Sequence, residues 1–297
     1  MLALSVLLYR LRRCGMGLLL LATSLLNACT GLLDVGNGHA TRIVRDLPYA
    51  EGVRHTLDAY VPQAGAQAQT ARGRPVVVFF YGGSWQHGDK ARYRFAANAL
   101  ARHGYLTFVP DYRLYPAVRY PDFLRDAAQA VRYARAHAAE YGGDPERLVL
   151  VGHSAGAYIA VMLALDSRWL QQAGVAPAAI QATVGLAGPY DFLPLTDPAL
   201  QRIFATPEGL RSTQPIAHAR GGAAPMLLMA GTGDTVVDPG NTVRLAERLR
   251  ADGASVETIL VPGAGHTALI AAFAPALRFL NPSLADTVSF IDRHTVP

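Results

Sequence analysis

Cysteine is nearly absent: the 297 residues contain two, Cys14 and Cys29, and none after them. Everything beyond Cys29 must therefore hold together without an internal disulfide, whatever the redox state of its compartment. Charge is scarce as well, at 16% against 51% hydrophobic residues, which excludes a disordered chain and points to a single large domain with a substantial core. The formal net charge of +5 owes three units to Arg10, Arg12 and Arg13, and 24 basic residues face 22 acidic ones after Ala28. No basic stripe interleaved with aromatics appears, so a nucleic-acid partner is excluded. There is no H-E-x-x-H or comparable cluster, so neither a metal nor any other cofactor is expected. Internal repeats, low-complexity tracts and an interdomain linker are also missing.

No apolar run near the N-terminus is long enough to span a bilayer; the one over residues 16–26 falls short. Preceded by the basic segment 10–13 and followed by Leu26-Asn27-Ala28-Cys29, it reads instead as an export signal over residues 1–28. The last four residues resemble the lipobox of bacterial lipoproteins. By that resemblance Cys29 is acylated and anchors the chain, residues 29–40 form anchor and spacer, and Thr30, not being Asp, gives no inner-membrane retention signal. The expected location is the bacterial cell envelope, on the periplasmic face of a membrane. A plain signal peptide cut after Ala28, giving a secreted or periplasmic protein, and an uncleaved anchor are the alternatives.

What is abundant is a rhythm. "TRIVRDLPYA" and "HTLDAYVP" alternate as half-buried strands do, and predict an antiparallel pair entering a sheet. Residues 63–74 are small and polar, a surface loop. From Pro75 continuous apolar runs recur at 76–80, 106–110, 147–152, 182–188, 225–231 and 256–263, as expected for strands covered on both faces. Between them, "DFLRDAAQAVRYARAHAAEY", "AGAYIAVMLALD" and "NTVRLAERLRADG" show helical spacing. Alternation of this kind implies an α/β architecture, with a mainly parallel, doubly wound sheet of about eight strands and helices on both faces. Ligands in such sheets bind beyond the carboxyl ends of the strands, so chemistry is sought in the residues after each run. The departure at 189–224 leaves room for a small cap.

"VLVGHSAGAYIAVM" sets Gly152-His153-Ser154-Ala155-Gly156 between a strand and an amphipathic helix, the context of a nucleophile elbow. Bulk at Gly152 or Gly156 would collide with the adjoining elements. A serine nucleophile needs a base within hydrogen-bond reach and an acid that orients the base, in the chain order serine, acid, histidine. His266, after "ETILVPGAG" and before the apolar helix "TALIAAFAPALRFL", is the candidate base. His218 in the possible cap and His294 near the end read as solvated surface residues, and His153 as a packed elbow residue. Asp234, at the end of the preceding strand, is the candidate acid, ahead of Asp238, which is placed to cap the next helix. The oxyanion donors are expected from Ala155 and from Gly83 and Ser84 in "VVVFFYGGSWQHGDK". That stretch also has the four-residue gap of a phosphate loop, but Asp89 stands where lysine is required, which argues against nucleotide binding.

Taken together, "YGGSW", "PDYRLYP", "GGDPERLVLVGHSAGA", "GTGDTVV" and "GAGH" resemble the α/β-hydrolase esterases of the hormone-sensitive-lipase and feruloyl-esterase-like groups, which include kynurenine formamidases. The resemblance covers residues 41–295 and implies an α/β-hydrolase fold for a catalytic domain at 41–297. It implies a Ser154–Asp234–His266 triad, an oxyanion hole from Gly83, Ser84 and Ala155, and structural roles for Asp111, Arg113 and Asp126. Tyr81 departs from it, since these esterases usually carry histidine before the glycine pair. The implied activity is hydrolysis of small carboxylic esters with short to medium acyl chains through an acyl-enzyme. The same triad on an amide, a formamide or a peptide, or a catalytically silent binding module of the same fold, are the alternatives. Retention of every triad member argues against the silent module, and the oligomeric state is not legible. Cys29→Ala should abolish incorporation of radiolabelled palmitate in a bacterial host and release the protein from membranes; labelling that persists in the variant would refute the lipobox reading.

Overall fold

The computed structural model describes residues 41–63 and 73–295. Cys29, the export signal, the spacer and the interior of the 63–74 loop lie outside them. Eight strands form one sheet: β1 (Thr41–Pro48), β2 (Thr56–Pro62), β3 (Arg74–Phe80), β4 (Leu106–Pro110), β5 (Gly143–His153), β6 (Ile180–Leu186), β7 (Met226–Gly231) and β8 (Val256–Val261). Their spatial order is β1-β2-β4-β3-β5-β6-β7-β8. β2 pairs antiparallel with both β1 and β4, and every later pairing is parallel. Both the antiparallel entry and the doubly wound parallel part match the sequence expectation.

The described helices are α1 (Arg94–Arg102), α2 (Asp122–His137), α3 (Ala155–Leu165), α4 (Arg168–Gln172), α5 (Pro198–Ile203), α6 (Gly240–Ala251), α7 (Ala268–Ala271) and α8 (Ser283–Thr295). Segments 76–80, 106–110 and 148–152 are inaccessible to solvent or nearly so, as their largely apolar character requires. β8 differs. Among the described residues it has a neighbouring strand on one side only; it buries Val261 alone and exposes Glu257, whose carboxylate accepts two hydrogen bonds from Arg293 at 2.8 and 2.9 Å.

Two helices also differ from expectation. α3 is not amphipathic, since all eleven of its residues are buried. It lies against β5 and β6, while Ala157, Val161, Ala164 and Leu165 turn to a second apolar cluster with Leu228, Leu245 and Leu249. Small side chains let it approach the sheet closely enough to need an apolar surface all round. The "TALIAAFAPALRFL" segment is broken: α7 ends at Ala271, Ala274 is extended, and residues 275–280 wind as a 3-10 helix with Phe279 at 80% exposure. Pro275 is the cause, because its ring disfavours helical backbone in the residue before it and it has no N–H to donate.

The approach of α3 is set by two glycines. A Cβ on Gly152 would lie 2.2 Å from the Gly156 carbonyl oxygen, and one on Gly156 would lie 2.0 Å from that of Phe80. Both collisions are with backbone, as the elbow reading anticipated. Gly156→Ala should therefore cost about 3 kcal/mol or more of stability, measured by urea unfolding against Ala157→Gly, a change in the same helix that opens space; an unchanged midpoint would show the helix free to shift.

Candidate active site

The elbow, the acid and the histidine stand on the loops that follow three parallel strands. Ser154 comes directly after β5 with φ 57° and ψ −121°, a left-handed backbone that a residue with a Cβ adopts under strain. Its N–H donates to the Leu186 carbonyl at 2.8 Å, which ties the turn to the end of β6. Asp234 follows β7. One of its carboxylate oxygens accepts the N–H groups of Val236 and Val237 at 2.8 and 2.9 Å, which fixes the side chain and aims the second oxygen at His266. His266 follows β8, with Nδ1 2.7 Å from Asp234 Oδ2 and Nε2 2.9 Å from Ser154 Oγ. Since a carboxylate only accepts, the proton sits on Nδ1, and Nε2 is left to accept the serine hydroxyl. Asp238 takes no part in the relay: its carboxylate accepts the Gly240 N–H at the start of α6, as its expected capping role requires.

The acid and histidine loops are stitched to each other. Thr232 N–H donates to Val261, Gly233 N–H donates to Ala264, and Gly263 N–H donates to the Thr232 hydroxyl at 2.8 Å. A Cβ on Gly231 would lie 2.0 Å from the Ala264 carbonyl oxygen, so glycine is what allows the two loops to touch.

The glycine pair approaches from β3. Gly83 has φ +140°, and a Cβ there would lie 2.0 Å from the His87 carbonyl oxygen, so this turn admits no side chain. Ser84 and Trp85 continue in the left-handed region at φ 53° and 58°. A Cβ on Gly82 would meet that of Ser154 at 2.9 Å, which measures how closely the loop passes the elbow. Among the described residues, the N–H groups of Gly83, Ser84 and Ala155 have no hydrogen-bond partner. Ser84 and Ala155 line a cavity of about 350 Å³ together with Ser154, and Gly83 stands one residue behind, at the turn. The apolar side of the cavity is built by Trp85, Phe192, Leu193, Leu200, Val236 and Val237, and its polar side by Asp191, Asp238, Asn241 and Arg244.

The phosphate-loop alternative fails in space as well as in spacing. Lys90, the single lysine of the sequence, is buried and bonded to Asp46 and Asp58, so it is not available to a phosphate. Among the described residues, no group of three or more His, Cys, Asp or Glu is placed to hold a metal ion.

The family model described as BD-FAE matches residues 57–249, well over half of the sequence. The chain belongs to the BD-FAE family. Esterase LipC of Mycobacterium tuberculosis is 31% identical over 65% of this chain and 52% of its own length. The isoprenylcysteine alpha-carbonyl methylesterase ICME of Arabidopsis thaliana is 28% identical over 80% of this chain and 60% of its own. The chain thus spans between half and two thirds of the length of these curated relatives. The apo form of Thermogutta terrifontis esterase 2 superposes with a TM-score of 0.67 at 26% identity, covering 86% of this chain and 93% of that one. This is the α/β-hydrolase fold. The BD-FAE match contains Ser154 and Asp234 but stops before His266, whose place in the constellation is set by the geometry alone.

Some side chains around this BD-FAE site, among them Asn241 and Gln214, were not picked out from sequence, and others do more than the sequence suggests. His153 is packed, as expected, but it also supports the base: its Nε2–H donates to the His266 carbonyl at 3.1 Å, and Nδ1 faces the Tyr93 hydroxyl at 3.3 Å. Asn241 and Gln214 hold the cavity wall, accepting the backbone N–H groups of Tyr190, Asp191 and Phe192 at 2.7 to 2.8 Å. Asp126 accepts from Arg113 Nε, Nη2 and backbone N–H, so these two pin the 111–126 segment as the resemblance implied. His218 is not simply solvated, since it donates to the Ser212 carbonyl at 2.7 Å, and His294 rests on the Phe290 ring.

Burial, followed by repulsion from His266, pushes the His153 imidazole down from 6.5 to about 4, so it is neutral near pH 7. Burial pushes the Tyr93 phenol up to about 12, which keeps it a donor to that imidazole. The unfolded chain takes up the His153 proton near pH 6.5, and the folded one near pH 4. Stability is therefore fully present above the first value and falls as pH drops through the window, by at most about 1.4 kcal/mol per pH unit from this group. Urea midpoints between pH 7 and 4.5 should fall more steeply for the wild type than for His153→Gln; parallel curves would show that His153 is not the group responsible.

Proposed function

We propose that this protein is a carboxylesterase that cleaves small esters of short to medium acyl chain through an acyl-enzyme on Ser154. The observation that carries this is the continuous relay Ser154–His266–Asp234, whose serine end opens into a cavity lined also by Ser84 and Ala155, the two residues with free N–H groups. Ser154 Oγ attacks the ester carbonyl while its proton passes to His266 Nε2. The resulting imidazolium is stabilised by Asp234, and the carbonyl oxygen, now an oxyanion, is received by the amides of Ser84 and Ala155, with Gly83 beside them. Collapse expels the alcohol, which takes the proton from His266. Water then repeats the sequence on the acyl-enzyme and releases the acid and the serine.

The cavity supports the size range. About 350 Å³, apolar along Trp85, Phe192 and Leu200, suits a short hydrocarbon chain, and the stretch from Pro189 to Leu200 lines it on one side. The names of the curated relatives, esterases and a methylesterase, support ester hydrolysis as the reaction. The sequence motif at Cys29 supports a lipid-anchored enzyme of the bacterial envelope.

Ser154→Ala should fold normally and lower turnover of p-nitrophenyl butyrate by about 10⁴-fold or more, and Asp234→Asn by about 10³- to 10⁴-fold. A fluorophosphonate probe should label the wild type and not Ser154→Ala. Wild-type turnover in Ser154→Ala would end this reading.

A further inference from the structure

The oxyanion loop runs from Tyr81 to Gly88, and its ends meet. The Gly88 backbone sits against the Tyr81 ring, where an added Cβ would come within 3.0 Å of two ring carbons. One side chain from outside the loop holds both ends. Arg54, in the turn between β1 and β2, donates through Nη2 to the Tyr81 hydroxyl at 2.7 Å and to the Gly88 carbonyl at 3.0 Å. Its Nε donates to the Tyr112 carbonyl at 2.8 Å, and the Tyr112 hydroxyl in turn donates to the Tyr81 carbonyl at 2.7 Å. The phenol ring of Tyr81 is buried and stacked on Tyr112 with ring centres 4.7 Å apart.

We propose that Arg54 is a positioning residue for ester hydrolysis: by tying the two ends of the 81–88 loop together it sets the direction of the Gly83 and Ser84 amides. The inference rests on the esterase reading above. Tyr81 is what makes the connection possible. A phenol oxygen accepts and donates at one point, so it receives Arg54 while giving its own proton to Asp111 at 2.8 Å. The same Asp111 oxygen accepts the Lys90 N–H at 2.9 Å, just beyond the loop. Loop start, loop end and the chain after it are thereby referred to one guanidinium and one carboxylate. Arg54 lies outside the stretch matched by the BD-FAE model, which begins at residue 57. The planar fork reaches these three acceptors from two separate nitrogens, Nε and Nη2, whereas the lysine ammonium donates from a single point.

Displacing oxyanion donors by a fraction of an ångström weakens what they do in the transition state and leaves substrate binding nearly untouched. With active sites counted by fluorophosphonate titration, Arg54→Gln and Arg54→Lys should lower kcat on p-nitrophenyl acetate by about 10- to 100-fold with KM within about twofold. Inhibition by an aryl trifluoromethyl ketone, which forms an oxyanion on Ser154, should weaken by the same factor. Tyr81→Phe keeps the ring and removes the contact, and should reproduce both losses even if the Arg54 variants fold poorly. Variants with fewer titratable sites but wild-type kcat per site and unchanged ketone affinity would show a purely structural role and overturn the proposal. A wild-type protein that neither takes the probe nor hydrolyses the ester would instead overturn the esterase reading, and this inference with it.

Discussion

A buried parallel sheet presents its reactive side chains only at the strand ends, and the whole site depends on how closely the first helix after β5 can approach it. Gly152 and Gly156 face each other across the elbow, with Gly156 also against the Phe80 backbone. That contact holds Ser154 in a left-handed backbone it would not choose alone. It also brings the end of β3 beside the nucleophile, so the loop from β3 reaches Ser154 without a long excursion. Ser154 and the free N–H groups of Ser84 and Ala155 are thus placed by one packing event between two strands and one helix.

The rest of the site follows from loops that satisfy one another's backbone groups. The acid loop and the histidine loop exchange three hydrogen bonds, and His153 adds a fourth support to the histidine backbone. Asp234 has both carboxylate oxygens committed before any substrate arrives. Donors and acceptors fixed in advance need no reorganisation when charge develops, the condition under which they contribute most to catalysis. The cavity wall between β6 and β7 is held by the same device, with Asn241 and Gln214 standing in for the strand partners that this irregular segment lacks.

Much of this was legible in the chain. Six apolar runs became six parallel strands, because a strand covered on both faces has no polar positions to spare, and Ser154, Asp234 and His266 were found by looking just past the strand ends. What was not legible came from contacts between distant segments. α3 read as amphipathic because its glycine, alanines and tyrosine do not show that its outer face meets a second apolar cluster. β8 read as a covered strand because its hydrophobic residues do not reveal that it has no outer neighbour among the described residues. Arg54, Asn241 and Gln214 are single polar residues in loops, with nothing local to mark the backbone groups they serve. Only the break at Pro275 was written plainly in the sequence, in a proline set within an otherwise helical segment.

The outer edge of β8 carries a further meaning. An unpaired strand offers its backbone to any chain with a free edge of its own, and the risk rises where molecules are concentrated on a surface. Here the edge strand is six residues long and holds Glu257, clasped by Arg293 of α8, in the open. Another strand could add to this edge only by dehydrating that ion pair or leaving a carboxylate against its own side chains. The feature that made β8 look misplaced among the covered strands thus works as a guard against sheet-to-sheet growth.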